Sequence, residues 1–172
     1  MTAGSLLSIR PAGPADAAAI AALHVAVWRL TYAGLAPPAA VARLDLAHRL
    51  PQWRAALAPG ARGATLLALR DARLAGFVRF GPASQPELGE AGEIKHLYVD
   101  PACARQGIGR QLLSAAFDGL RRAGCAEAAL AVVRGNDPAL AFYRAAGGRP
   151  AGHFTDAGPL WRSENLILRW VL

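Results

Sequence analysis

The chain has a single lysine, Lys95, among its 19 basic residues, so nearly all of its positive charge is carried by arginine. No Lys/Arg block and no basic tail gathers that charge, whereas nucleic-acid binders more often cluster basic residues with aromatics between them. A nucleic-acid partner is therefore not expected. Cysteine is scarce: Cys103 and Cys125 alone cannot build a disulfide scaffold or a four-ligand zinc site. His24, His48 and His153 are dispersed without metal-ligand spacing, and no metal is expected. There is no run of 18 or more uncharged apolar residues, which excludes a membrane-spanning helix of ordinary length. The stretch from Met1 to Arg10 lacks both the basic segment and the apolar run of a signal peptide. Repeats and low-complexity linkers are absent as well. These absences leave a soluble, cytoplasmic protein, with no membrane partner, organised as one domain over residues 1–172.

What is present fits that frame. A length of 172 residues is enough to bury a core, and 53% hydrophobic with 18% charged residues excludes a disordered chain. The formal net charge of +7 suits an anionic partner such as a phosphorylated small molecule, although arginine usage driven by composition accounts for it equally well.

Along the chain, Leu6 to Pro11 reads as a short strand. A helix capped by Asp16 follows, with apolar positions Ile20, Leu23, Val27 and Leu30 at helical spacing. A second helical region runs from Pro37-Pro38 to about Leu57, and Pro51 is expected to divide it. Thr65 to Arg70 and Leu74 to Phe80 form a hairpin, and Glu93 to Val99 is a further strand. Gly107 to Ala123 is the clearest helix, with Ile108, Leu112, Leu113, Ala116, Phe117 and Leu120 in one stripe. Ala128 to Val133 is a near-continuous apolar strand of the kind covered on both faces. Asp137-Pro138 supplies an N-cap followed by proline for a helix to Ala146. Two strands, near 149–154 and 165–172, complete the chain. The order β-α-α-β-β-β-α-β-α-β-β predicts an α/β fold, a mixed central sheet of about seven strands with helices on both faces.

The most informative segment runs from Leu97 through Asp100-Pro101 to Gly107-Ile108-Gly109-Arg110. It reads as strand, short loop, glycine turn and helix. Glycines at 107 and 109 admit close backbone approach, and the helix start offers free N–H groups and a positive dipole end. Arg105 and Arg110 flank the turn, which makes it a pyrophosphate site. A Walker A string is absent, and a dinucleotide fingerprint fails because Leu112 stands where a third glycine is required. A bare strand-to-helix turn that binds nothing is the plainer alternative.

This segment resembles the acetyl-CoA-binding motif of the GCN5-related N-acetyltransferases, usually written Q/R-x-x-G-x-G/A. The chain reads Ala104-Arg105-Gln106-Gly107-Ile108-Gly109, so Ala104 replaces the usual Gln or Arg and Arg105 offers a positive charge one residue on. A second stretch, Asn136 to Arg144, resembles the family's N-x-x-A-x-x-F-Y segment, one strand after the first motif. The resemblance covers nearly the whole chain and implies an acetyl-CoA-dependent N-acetyltransferase. Such an enzyme transfers the acetyl group directly to a primary amine of a small molecule or peptide within a ternary complex. It implies cofactor contacts from the main chain of Leu97, Tyr98 and Val99 and from the turn Arg105, Gln106, Gly107, Ile108, Gly109 and Arg110. Asn136 would hold the pantetheine arm, Phe142 lies in the same motif, and Tyr143 would protonate the departing thiolate. Glu93 matches the strand glutamate that serves as base in some members, with His96 as its rival. Strict alternation groups Glu93 with Leu97 and Val99, and His96 with Ile94 and Tyr98, unless a β-bulge reverses the faces. Trp28 and Tyr32 fall in the region that lines the acceptor side, where core packing would explain Trp28 equally well. A non-catalytic acyl-CoA sensor on the same fold is the alternative, and the terminal strands leave a homodimer open.

Overall fold

The computed structural model describes residues 6–172; residues 1–5, half of the stretch read for a targeting signal, lie outside the described residues. Strand β1 (Leu7–Pro11) leads into helices α1 (Ala17–Tyr32), α2 (Pro38–Arg43) and α3 (Leu46–Ala56). Strands β2 (Ala64–Arg70), β3 (Arg73–Pro82) and β4 (Gly92–Val99) form a meander, followed by α4 (Ile108–Arg122), β5 (Glu127–Val133) and α5 (Asp137–Ala145). The hairpin β6 (Arg149–Asp156) and β7 (Ser163–Val171) ends the chain. The strands make one sheet in the order β1-β2-β3-β4-β5-β7-β6. Its neighbours are antiparallel except β4 and β5, so the sheet is mixed as expected.

Two hydrophobic layers cover the sheet. On one face, α4 and α5 pack Leu112, Leu113, Leu120 and Tyr143 against Val78, Ile94 and Leu130. On the other, α1 and α3 bring Ile20, Ala21 and Trp53 onto Leu67 and Phe77. Burying side chains of this size contributes about 1.5–3 kcal/mol each, which is what fixes both helical layers to the strands.

Three local expectations are corrected. The stripe of α1 that faces the core is Ala17, Ile20, Ala21, His24, Val25 and Trp28, while Leu30 is 69% exposed. The helix is therefore rotated toward its histidine. The second helical region breaks at Leu44-Asp45, where the Asp45 carboxylate accepts the His48 N–H at 2.8 Å. Pro51 sits inside α3, since the loss of one N–H bond is outweighed by the anchoring of Trp53 two residues later. The N-cap of α5 is Asn136, one residue before the position expected from Asp137-Pro138.

Candidate active site

Parallel β4 and β5 share two residue pairs, Gly92 with Ala128 and Glu93 with Ala129. Beyond them the strands diverge, leaving backbone groups on the inner edge of β4 without a strand partner. The divergence opens a cleft of about 270 Å³ between Ile94–Val99 and Leu130–Val132, closed on the α5 side by Asn136, Ala139 and Tyr143. An extended, unbranched ligand can lie there as an added strand.

At the end of β4 the chain turns through Asp100, whose carboxylate accepts the Ala102 N–H at 2.9 Å. Arg105 and Gly107 both adopt left-handed backbone, with φ of 60° and 79°. Left-handed residues of this kind make a concave, anion-binding surface of N–H groups. Gly107 caps α4 without a side-chain hydrogen bond, so the first N–H groups of the helix stay free for a ligand. A Cβ on Gly107 would meet nothing within 4 Å, whereas one on Gly109 would lie 3.3 Å from Phe142 Cζ and 3.7 Å from Val99 Cγ2. The turn therefore abuts the end of the cleft, and Phe142 packs under it. Arg105 and Arg110 are exposed and form no ion pair among the described residues. The turn fits a pyrophosphate group in donor set and in charge.

At the cleft wall Tyr143 is buried, and this burial, with Tyr32 nearby, pushes its phenol well above the ordinary range. It holds its proton throughout the neutral range and is a donor. Tyr32 also lines the cleft, together with Asn136, whose Oδ1 accepts the Ala139 N–H at 3.4 Å.

The opposite face of β4 carries a ring cluster. His96 lies 4.8 Å from His24 and 5.7 Å from Trp53 between ring centroids, and Tyr98 lies 4.8 Å from His24. Trp53 Nε1 donates to His24 Nδ1 at 3.1 Å. An indole only donates, so neutral His24 carries its proton on Nε2, which is buried without a partner. Burial, followed by the nearby His96 and Arg49, lowers His24 to about 2. Burial, then Arg49, Arg79 and Lys95, lowers His96 to about 3. Both imidazoles are neutral at neutral pH, and His96 lines the cleft in its proton-accepting form.

A sequence model of the acetyltransferase (GNAT) family matches residues 28–147, which spans the cleft, the glycine turn and all of α5. The chain belongs to the acetyltransferase (GNAT) family. Among curated GNAT relatives, the N-acetyltransferase YuaI of Bacillus subtilis is 28% identical over 81% of this chain and 79% of its own length. A mycothiol acetyltransferase of Segniliparus rotundus is 44% identical, but over 44% of this chain and 29% of that protein. The structure of PaiA N-acetyltransferase from Thermoplasma acidophilum, solved with coenzyme A, superposes with a TM-score of 0.74 at 20% identity, covering 97% of this chain and 99% of that one.

Set against GNAT expectations, the structure brings Leu97, Tyr98, Val99, Asn136 and Tyr143 to one cleft, with Tyr32 beside them. Gln106 and Gly107 lie exposed in the turn, whereas the Ile108 side chain points into the core at 2% exposure, which leaves only its backbone for a ligand. Trp28 is buried against Leu44, with its ring tilted against that of Tyr32 at 4.8 Å between centroids. Glu93 does not line the cleft: its Oε2 accepts the Ser84 N–H at 2.7 Å, with Lys95 Nζ at 3.9 Å. The facing of β4 is corrected too. Arg79 pairs with His96 and Phe80 with Ile94, so Lys95 is an extra, bulged residue. The bulge moves Ile94 onto the face of Leu97 and Val99, and Glu93 onto that of His96 and Tyr98. His24, Trp53 and Arg49 went unrecognised in the sequence. The only local signal was the i, i+4, i+8 line of Ile20, His24 and Trp28.

Proposed function

We propose that this acetyltransferase uses acetyl-CoA and transfers its acetyl group directly to a primary amine of a small molecule or peptide in a ternary complex. The observation that carries the reading is the parallel gap between β4 and β5, ending at a turn of free N–H groups and unpaired arginines. Acetyl-CoA, when bound, supplies the acetyl group activated as a thioester. The backbone of Leu97 and Val99 would hold the pantetheine arm as a strand, and the N–H groups of 107–110 with Arg105 and Arg110 would hold the pyrophosphate. Tyr143 keeps a proton at the cleft wall for the departing sulfur, as its raised pKa permits. His96, a neutral imidazole among the residues that line the cleft, accepts the proton of the attacking amine. Glu93 then acts through position, tying the loop at Ser84 to the strand.

A thermal-shift titration with acetyl-CoA and CoA, with ATP and NAD as controls, tests the cofactor. At ligand 100-fold above its dissociation constant, stabilisation of about 2.7 kcal/mol is expected with both CoA forms. Absence of a shift with either would sink the proposal.

A further inference from the structure

Arg49 is a cation without an anion. It is half-buried on α3, its Nη1 donates to Gln52 Oε1 at 2.7 Å, and its Nε is buried with no hydrogen-bond partner. It forms no ion pair among the described residues. No carboxylate of the described residues takes up the charge of this guanidinium. Leaving a guanidinium partly desolvated and uncompensated costs folding free energy, and such a cost at the wall of a cavity points to an anion that arrives from outside.

The cavity is there. Arg49 lines a second space of about 260 Å³ with Trp28, Tyr32, His48, Asp156 and Trp161. Tyr32 lines both this space and the β4–β5 cleft, so the two adjoin at its side chain. Among the described residues Asp156 is the one carboxylate on the cavity wall. Its Oδ1 accepts the Gly158 N–H at 2.8 Å, and it lies beyond ion-pair distance of Arg49. Resting on the acetyl-transfer reading above, we infer that the acceptor is an amino-acid-like small molecule whose carboxylate docks on Arg49 while its amine faces Tyr32 and the cleft. A peptide N-terminus, whose carboxylate is remote, does not meet this requirement.

The arrangement has a chemical corollary for His96. The groups facing it are His24 from α1, Arg49 and Trp53 from α3, Arg79 from β3, and Tyr98 and Lys95 from its own strand. Arg49 is among the charges that hold His96 neutral. A carboxylate on Arg49 cancels that charge and makes His96 a better proton acceptor only when the acceptor is in place.

The test compares the common L-amino acids with their carboxamides as acceptors, read by thiol release from acetyl-CoA, in the wild type, Arg49→Gln and Arg49→Lys. At least one acid is expected to exceed its amide in kcat/KM by about tenfold or more, the range of a charge-assisted pair. Arg49→Gln should bring that ratio close to one, Arg49→Lys should restore part of it, and the ligand-free melting temperature of Arg49→Gln should not fall. Equal use of acids and amides, a ratio unchanged in Arg49→Gln, or no turnover of any pair would overturn the inference. A thermal shift with acetyl-CoA in the same samples separates these outcomes from failure of the cofactor reading, which would remove both.

Discussion

Tyr143 and Glu93 show how much a side chain's assignment depends on where its polar atom ends up. The Tyr143 phenol is buried at the cleft wall and proton-bearing, while the Glu93 carboxylate is spent on a backbone N–H outside the cleft. Tyr143→Phe is therefore expected to lower kcat by about 10²–10⁴-fold, the range of general acid catalysis, with little change in acetyl-CoA affinity. Glu93→Gln keeps an acceptor for Ser84 and should fall well short of that loss, whereas His96→Asn should approach it. Steady-state thiol release on the three variants decides the ranking, and a Glu93→Gln defect as deep as that of Tyr143→Phe would return the base to Glu93. Residue types in a motif were legible in the sequence: Asn136 and Tyr143 line the cleft, and both turn glycines sit at the start of α4. The surroundings of His24 were not, because Trp53, His96 and Tyr98 come from a helix and a strand far along the chain and follow no spacing.

Among the elements, β4 is the one whose reading depended on a neighbour. Its limits were legible from alternation and flanking glycine, but its facing was set by one extra residue, Lys95, opposite the Arg79–Phe80 step of β3. Whether a strand bulges depends on what it packs against, and alternation cannot report that. The break at Asp45 and the cap at Asn136 were misplaced for a related reason: several residues nearby can cap, and the packing of Trp53 and Tyr143 chooses between them. Deleting Lys95 leaves Ile94, Leu97 and Val99 on one face and Glu93, His96 and Tyr98 on the other by strict alternation, so the observed facing survives without the bulge. The expected loss in urea unfolding is therefore small beside the roughly 1.5–3 kcal/mol of turning a core side chain such as Ile94 into water. Lys95→Ala keeps the bulge and should cost as little. A loss from the deletion as large as that of an exposed core side chain would mean that β4 cannot close over the missing residue and that the facing is set in another way.

For the molecule as a whole, the buried imidazoles set a pH limit. An unfolded histidine takes up its proton near its ordinary 6.5, while folded His24 waits until about 2 and His96 until about 3. Between these values the unfolded state binds more protons, so stability is complete above about pH 6.5 and declines as pH falls, by at most about 1.4 kcal/mol per unit for His24. Asp16, held at about 2 by Arg10, adds its own loss only below the ordinary carboxylate range. Melting temperatures from pH 7.5 to 5 should therefore drop in the wild type and less so in His24→Gln, which keeps an acceptor for Trp53. A flat wild-type profile would contradict the burial of His24. The sheet that carries these groups is, in mechanical terms, two plates: β1 to β4 on one side and β5, β7 and β6 on the other. Their backbone seam is two residue pairs long, and α4 lies across the core they share like a spine. Widening the gap stretches no further ladder, so its width is the softest dimension of the fold. A ligand lying in that gap as a strand would act as a stitch, making one stiff sheet of the two plates.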